Sequence, residues 1–178
     1  MALAFARVAL GVALVHRQSA AERDRGQRLL EEASDVFARH AHNLGDLPLV
    51  DVYVARERAR RGARDEAIQL MRAATDRLVR EGQLLAWGVA ATGVLVQTLI
   101  DRVGDGDVAE AEAAIERLAV APADEGLVIR DIWLLRLHAL LARAHGDAAV
   151  YAELRDRYRD MATTLGLEGH IAWAEAMP

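Results

Sequence analysis

The chain contains no cysteine and no lysine. Without cysteine there is no disulfide framework, no cysteine-based zinc site and no thiolate nucleophile. Without lysine there is neither the lysine of a phosphate-binding loop nor a Schiff-base amine, and all 22 basic residues are arginine. Serine occurs only at Ser19 and Ser34, and neither stands in a G-x-S-x-G elbow. Most covalent catalysis is excluded on these grounds. The preference for arginine over lysine and for alanine is the pattern expected of a GC-rich genome, a mutational and not a functional cause. Proline (3 residues) and aromatics (4%) are scarce, while Ala, Leu, Arg and Glu dominate. That balance predicts an all-helical protein. A net charge of −5 argues against a general nucleic-acid binder, whose affinity depends on neutralising phosphates.

Long hydrophobic runs are few. Residues 2–15 are apolar, but the one nearby basic residue, Arg7, lies inside the run and not before it, so a secretory signal is not expected. Leu84 to Ile100 carries no charge yet includes Gly88, Thr92, Gly93, Gln97 and Thr98. With amphipathic helices on both sides it reads as a buried helix and not a membrane span. The expected compartment is the cytoplasm.

What is present is a period. Asp24, Asp65, Asp107 and Asp147 recur roughly every 40 residues, the signature of stacked helix pairs. Each precedes an apolar stripe of helical spacing and is expected to cap it. The stripes are Leu29, Ala33, Val36 and Phe37; Ala67, Met71, Ala74 and Leu78; Val108, Ala111, Ile115 and Leu118; and Val150, Leu154, Tyr158, Met161 and Leu165. The alternate helices, about 2–16, 48–61, 84–102 and 128–145, are apolar around most of their circumference. They are therefore expected on the covered side of each pair. Gly62, Gly104, Gly106 and Gly146 close them, and Pro48 sits in a first helical turn where its missing N–H costs nothing. Loops are expected at Asn43, Gly45 and Asp46, and at Pro122, Asp124 and Gly126.

The expected fold is all-α: an α-solenoid of about four antiparallel helix pairs of tetratricopeptide-like type, with a short C-terminal capping helix. It forms a single helical-repeat domain over 1–178, with pairs at 2–42, 47–82, 84–120 and 127–166 and the cap at 169–178. Trp173, Ile171, Ala174 and Met177 belong to the cap. Nothing comparable covers residues 2–15, so the chain reads as the tail of a longer protein, with further repeats ahead of it.

Candidate sites are few. The densest basic stretch is Arg56-Glu57-Arg58-Ala59-Arg60-Arg61-Gly62-Ala63-Arg64. Arg56 and Arg60 share a helix face and are suited to grip a phosphate or an acidic partner helix. Tyr53, Arg56, Arg60 and Arg64 are the expected exposed recognition residues. The competing view is a solvated helix end in which arginines favour the C-terminal dipole and Glu57 pairs with Arg61. Arg155, Arg157 and Arg159, interleaved with Asp156 and Asp160, fit that view too. His40 and His42 diverge on a helix. His138 and His145 share a face without a carboxylate at ligand spacing, and His16 and His170 stand near helix ends. The stretch Asp101 to Asp107 lacks the order and the bidentate glutamate of a calcium loop. Glu31 and Glu32, like Glu110 and Glu112, lie on polar faces without a burying pocket to tune them. No catalytic residue, cofactor or metal is expected.

The closing stretch Leu165-Gly-Leu-Glu168-Gly-His170-Ile-Ala-Trp173-Ala-Glu-Ala-Met-Pro178 is similar to the C-terminal end of large mycobacterial and actinobacterial regulators. Ala55 to Ala67 resembles their repeats. Those proteins join an adenylate/guanylate cyclase domain to a signal-transduction ATPase and a tetratricopeptide-like tail. The resemblance covers the chain only as that tail. No cyclase aspartate motif is present, and no Walker A motif can exist without lysine, so no catalytic residue carries over. The period near 40 also departs from the tetratricopeptide period of about 34. What the resemblance implies is a non-enzymatic interaction or sensor module acting on preceding repeats or an ATPase domain, or on a protein or peptide partner. No nucleic acid or membrane is expected among its partners. Two alternatives stand beside it: a free-standing scaffold that self-associates through residues 2–15, and a metal-dependent helical enzyme using His138 and His145.

Overall fold

Ser19, and not Asp24, begins the second helix. Its hydroxyl faces the Glu22 N–H at 3.5 Å and its carbonyl accepts from Arg23 N–H, so Ser19-Ala-Ala-Glu22 has the sequence pattern of a capping box. In this computed structural model, which describes residues 2–39, 47–123 and 126–177, the helix runs Ala20–Arg39. The described residues form nine α-helices and one π-helical turn, without strands. They are α1 (Ala2–Val15), α2 (Ala20–Arg39), α3 (Leu47–Arg60), α4 (Arg64–Arg80), α5 (Val89–Arg102), α6 (Asp107–Ala119), α7 (Val128–Ala144), α8 (Ala148–Thr164) and α9 (Glu168–Glu175). The fold is all-α. His40, His42, Asn43, Gly45, Asp46 and Asp124 lie outside the described residues.

The four aspartates do not share one role. Asp147 is the cap expected of it, accepting the Val150 N–H at 3.0 Å. Asp24 lies inside α2 and pairs with Arg61 at 2.5 Å. Asp65 is the second residue of α4, whose N-cap position is Ala63 and has no side-chain cap bond. Asp107 is the first residue of α6 and is buried. Its carboxylate accepts the Gly104 N–H at 2.7 Å and two bonds from Arg102, at 2.9 and 2.5 Å. A carboxylate at a helix start is favourable whether or not it caps, because the helix dipole is positive there, and this holds for Asp65, Asp107 and Asp147. Helical periodicity alone therefore does not say which one caps.

The chain divides into two compact units, Met1–Thr98 and Leu99–Pro178, with the division inside α5. In the first unit α1 packs on α2, α2 on α3 and α3 on α4, with a further contact between α1 and α3. The α1–α2 crossing is set by two glycines. A Cβ on Gly26 would meet the Gly11 carbonyl oxygen at 2.8 Å and the Val15 nitrogen at 2.9 Å, and one on Gly11 would meet Leu30 Cγ at 2.8 Å. Only hydrogen fits between these backbones, and Leu30, Ala33 and Phe37 fill the space beside them. The stripe of α4 is buried as expected: Ala67, Met71, Ala74 and Leu78. Residues 84–102, expected as one regular helix, begin with a π-helical turn at Leu84–Gly88, where Gln83 O accepts from Ala86, Trp87 and Gly88. By length and composition Leu84–Arg102 is apolar enough to cross a membrane, but 56% of that stretch is buried inside the fold.

In the second unit α6 packs on α7, α7 on α8 and α8 on α9. The buried face of α8 is Tyr151, Tyr158 and Ala162, so the expected stripe is rotated. Val150 and Leu165, at its edges, are exposed. α9 closes the unit through Ala174 and through Met177, which packs against Ala139, Ala142 and Tyr151. The loop before α6 contains Val103 at φ 57°, a left-handed backbone that a β-branched residue rarely adopts. Next to it, a Cβ on Gly104 would meet Asp107 Oδ2 at 2.9 Å. A side chain there would push against the carboxylate that Arg102 and the Gly104 N–H hold.

Candidate functional site

The arginine-rich end of α3 is a clamp that ties α3 to α1 and α2, while Arg58, Arg60 and Arg61 remain exposed as expected and Arg56 is half-buried. α3 is apolar around its first two turns, so Tyr53 points inward and is 4% exposed. Its expected role as an exposed recognition residue is corrected by that burial: its ring packs edge-on against His16, centroids 5.7 Å apart. Arg56 is half-buried and reaches the same imidazole, 3.0 Å from Nδ1. A guanidinium can only donate, so the facing imidazole nitrogen accepts. Arg60 donates to the Val15 carbonyl at 3.2 Å and to Glu57 at 3.1 Å. Val15 is the last residue of α1, and the arginine therefore satisfies a helix-end carbonyl that would otherwise lack an intrahelical donor. Arg64, the first residue of α4, is exposed.

Glu57 is the centre of this clamp. It is buried, with Arg60 on one oxygen and Arg23 Nε 4.0 Å from the other. The expected Glu57–Arg61 pair is absent because Arg61 turns to Asp24. Arg23 also donates to the carbonyls of Arg17 and Gln18 in the α1–α2 turn. Deeper in the same unit, burial raises the Asp51 carboxyl above its usual range. Arg77, a hydrogen bond from Ser34 and Arg58 oppose that shift.

The open feature of the second unit is a cleft of about 460 Å³ between α6 and α7. Ala109, Glu112, Ala113, Ile115 and Glu116 line it from α6, and His138 and Leu141 from α7. Glu112 accepts a 2.7 Å hydrogen bond from His145 Nε2, just past the end of α7. Burial pushes the His138 imidazole below its usual range, against the pull of Glu116. The carboxylates missing beside His138 and His145 in the sequence thus arrive from another helix. Among the described residues no three His, Asp or Glu side chains converge as metal ligands.

A third cluster joins α7, α8 and α9. Arg136 is 7% exposed and lies over the rings of Trp173 and Trp133, at 5.0 and 5.6 Å. His170 packs edge-on against Trp133, Tyr158 and Trp173, and its Nδ1 is 2.8 Å from the Tyr158 hydroxyl. Burial, and then the Arg136 charge, lower the His170 pKa to about 4. Burial raises that of Tyr158, so its hydroxyl stays protonated and donates to the ring. Trp133 and Arg136 are three residues apart in α7, and so are His170 and Trp173 in α9, so each pair shares a helix face; that the two pairs meet is not written in this spacing. The sequence cues were that local spacing and the aromatic content of the closing stretch.

No family model matches the chain, and no curated protein or solved structure matches it.

Proposed function

We propose that the chain is a non-catalytic helical-repeat module that binds a protein or peptide, working in the cytoplasm as the regulatory C-terminal part of a cyclase–ATPase signalling protein. The observation that carries the binding half of this reading is the open α6–α7 cleft on a scaffold of helices packed on their sequence neighbours. Helices stacked in this way leave long flanks for a partner. The clamp at Glu57 and the cluster around Arg136 supply further support, since their charged groups are engaged in tying helices together. The signalling half rests on the resemblance of residues 165–178 and 55–67 alone.

The binding half is tested by panning a random peptide-display library against the folded chain and measuring the selected consensus by calorimetry. A saturable interaction in the micromolar range is expected; selection of no consensus in repeated rounds counts against it. The signalling half predicts an ATPase or cyclase domain encoded in frame upstream of Met1, and an unrelated upstream sequence removes it.

Self-association through α1 is a second reading, favoured by one observation. Leu3, 63% exposed, and Leu10 and Phe5 leave an apolar flank on that helix. Sedimentation that is concentration-dependent in the native chain and monomeric in Leu3→Glu/Leu10→Glu is the expected result. A native monomer at every concentration overturns it.

A further inference from the structure

The α6–α7 cleft has a definite chemistry. Its floor is small and apolar, from Ala109 and Ala113 on α6 and Leu141 on α7, while Glu112 and Glu116 supply two carboxylates. The exposed α6 residues of the lining are Ala109, Glu112, Ala113 and Glu116; Ala109 and Ala113, like Glu112 and Glu116, are four apart, so two alanines and two glutamates share one helix face. Among the described residues no arginine lines the space. His138 faces it too, and its lowered basicity keeps the ring neutral at neutral pH, so it brings no positive charge. The cleft is therefore an apolar trough under a net negative rim, and its volume falls within the range of ligand sites, roughly 300–1,000 Å³.

We infer that this cleft receives a basic side chain, arginine or lysine, presented by a partner peptide. The pairing follows from the shape of such a residue: three or four methylenes that bury well, ending in a cation that must remain solvated or paired. The stem lies along Ala109, Ala113 and Leu141. The cation reaches Glu116, and Glu112 from the other position on the same face. Glu112 is held in place by its contact with His145, and a carboxylate with one partner keeps acceptor capacity for another. Neither an acidic nor a neutral polar side chain matches this lining. An acid faces two like charges, and a neutral group leaves the Glu116 carboxylate without a counter-charge. The one ring in the lining is the His138 imidazole, so recognition runs through the carboxylates.

This inference rests on the peptide-binding reading above and narrows it to one surface and one class of residue. The test is an amide-shift titration of the folded chain with acetyl-Gly-Ala-Arg-Ala-Gly-amide, and with the same peptide carrying lysine, citrulline or glutamate at its centre. Saturable shifts at Glu112, Ala113, Glu116 and His138 are expected with arginine or lysine and not with citrulline or glutamate. Glu116→Gln should weaken binding about tenfold, a loss of about 1.4 kcal/mol. Ala113→Leu fills the trough without changing its charge, and should abolish the shifts while the remaining amide spectrum stays native. Glu153→Gln, on the exposed face of α8, should have no effect. Binding that survives Ala113→Leu, or that spreads evenly over acidic residues elsewhere, overturns the cleft. If a display-selected peptide binds but ignores both cleft variants, the cleft fails and the peptide-binding reading stands. If no peptide binds at all, both fail.

Discussion

Val103 and His170 show how single residues here carry costs that a packed helix would avoid. Val103 holds a left-handed backbone at φ 57° while 80% exposed, so its side chain gains little from packing and the strain is uncompensated locally. Such a residue costs on the order of 1–3 kcal/mol. Asparagine tolerates that conformation, and Val103→Asn is expected to raise stability by about 1 kcal/mol. A urea midpoint that does not move upward rules this out. His170 carries its cost in protons. Its folded pKa, about 4, lies below the ordinary 6.5, so the unfolded chain binds the proton more readily. The stability this provides is complete above about pH 6.5 and is lost as pH falls toward 4. Protonating Nδ1 also removes the acceptor for the Tyr158 hydroxyl. Discounted for the ring's partial exposure, the loss is on the order of 1–3 kcal/mol. Measured between pH 7 and 4.5, the native chain should lose more stability than His170→Asn; equal losses in the two would dismiss the effect.

Among the elements, the α1–α2 pair depends on a contact that no hydrophobic pattern announces. The backbones meet at Gly11 and Gly26, and the atoms a new Cβ would strike are mainly backbone atoms and the base of Leu14. They cannot rotate away. Gly26→Ala should therefore destabilise the chain by about 1–3 kcal/mol, although alanine is the better helix former by about 1 kcal/mol. A gain in stability in thermal or urea unfolding contradicts the close approach. Elements also reassign charges. The arginines of α3 were legible as a cluster. Arg56 and Arg60 share a face as expected, but they are turned toward His16, Val15 and Glu57 because α3 is covered on that side by the end of α1. Tyr53 is buried for the same reason.

At the scale of the molecule, the net charge of −5 bears on how a partner arrives. An acidic protein attracts a basic peptide over distances comparable to the screening length, about 10 Å at 0.1 M salt. The association rate with the arginine peptide, or with a selected basic consensus, should fall as ionic strength rises, with a smaller change in dissociation. Stopped-flow or surface-based rates at several salt concentrations test this; an association rate indifferent to salt opposes it. The two compact units also separate the two candidate surfaces. The arginine clamp belongs to residues 1–98 and the acidic cleft to 99–178, so variants in one can be read independently of the other.

The sequence by itself determined the helices. Periodicity and glycine placement act within one or two turns, and that is enough to locate α3, α4, α7 and α8 and to make the chain all-α. It also excluded lysine and cysteine chemistry, because a missing side chain is missing in any fold. Tertiary structure alone decided which carboxylate caps and which pairs. Asp147 caps α8, whereas Asp24 meets Arg61 and Asp107 meets Arg102. It alone brought Glu112 and Glu116 beside His145 and His138, and gathered Trp133, Arg136, Tyr158, His170 and Trp173. The physical reason is range. A helix is written by neighbours three and four residues apart, but a cleft or a buried ion pair is made by side chains from different helices, whose meeting depends on how those helices cross.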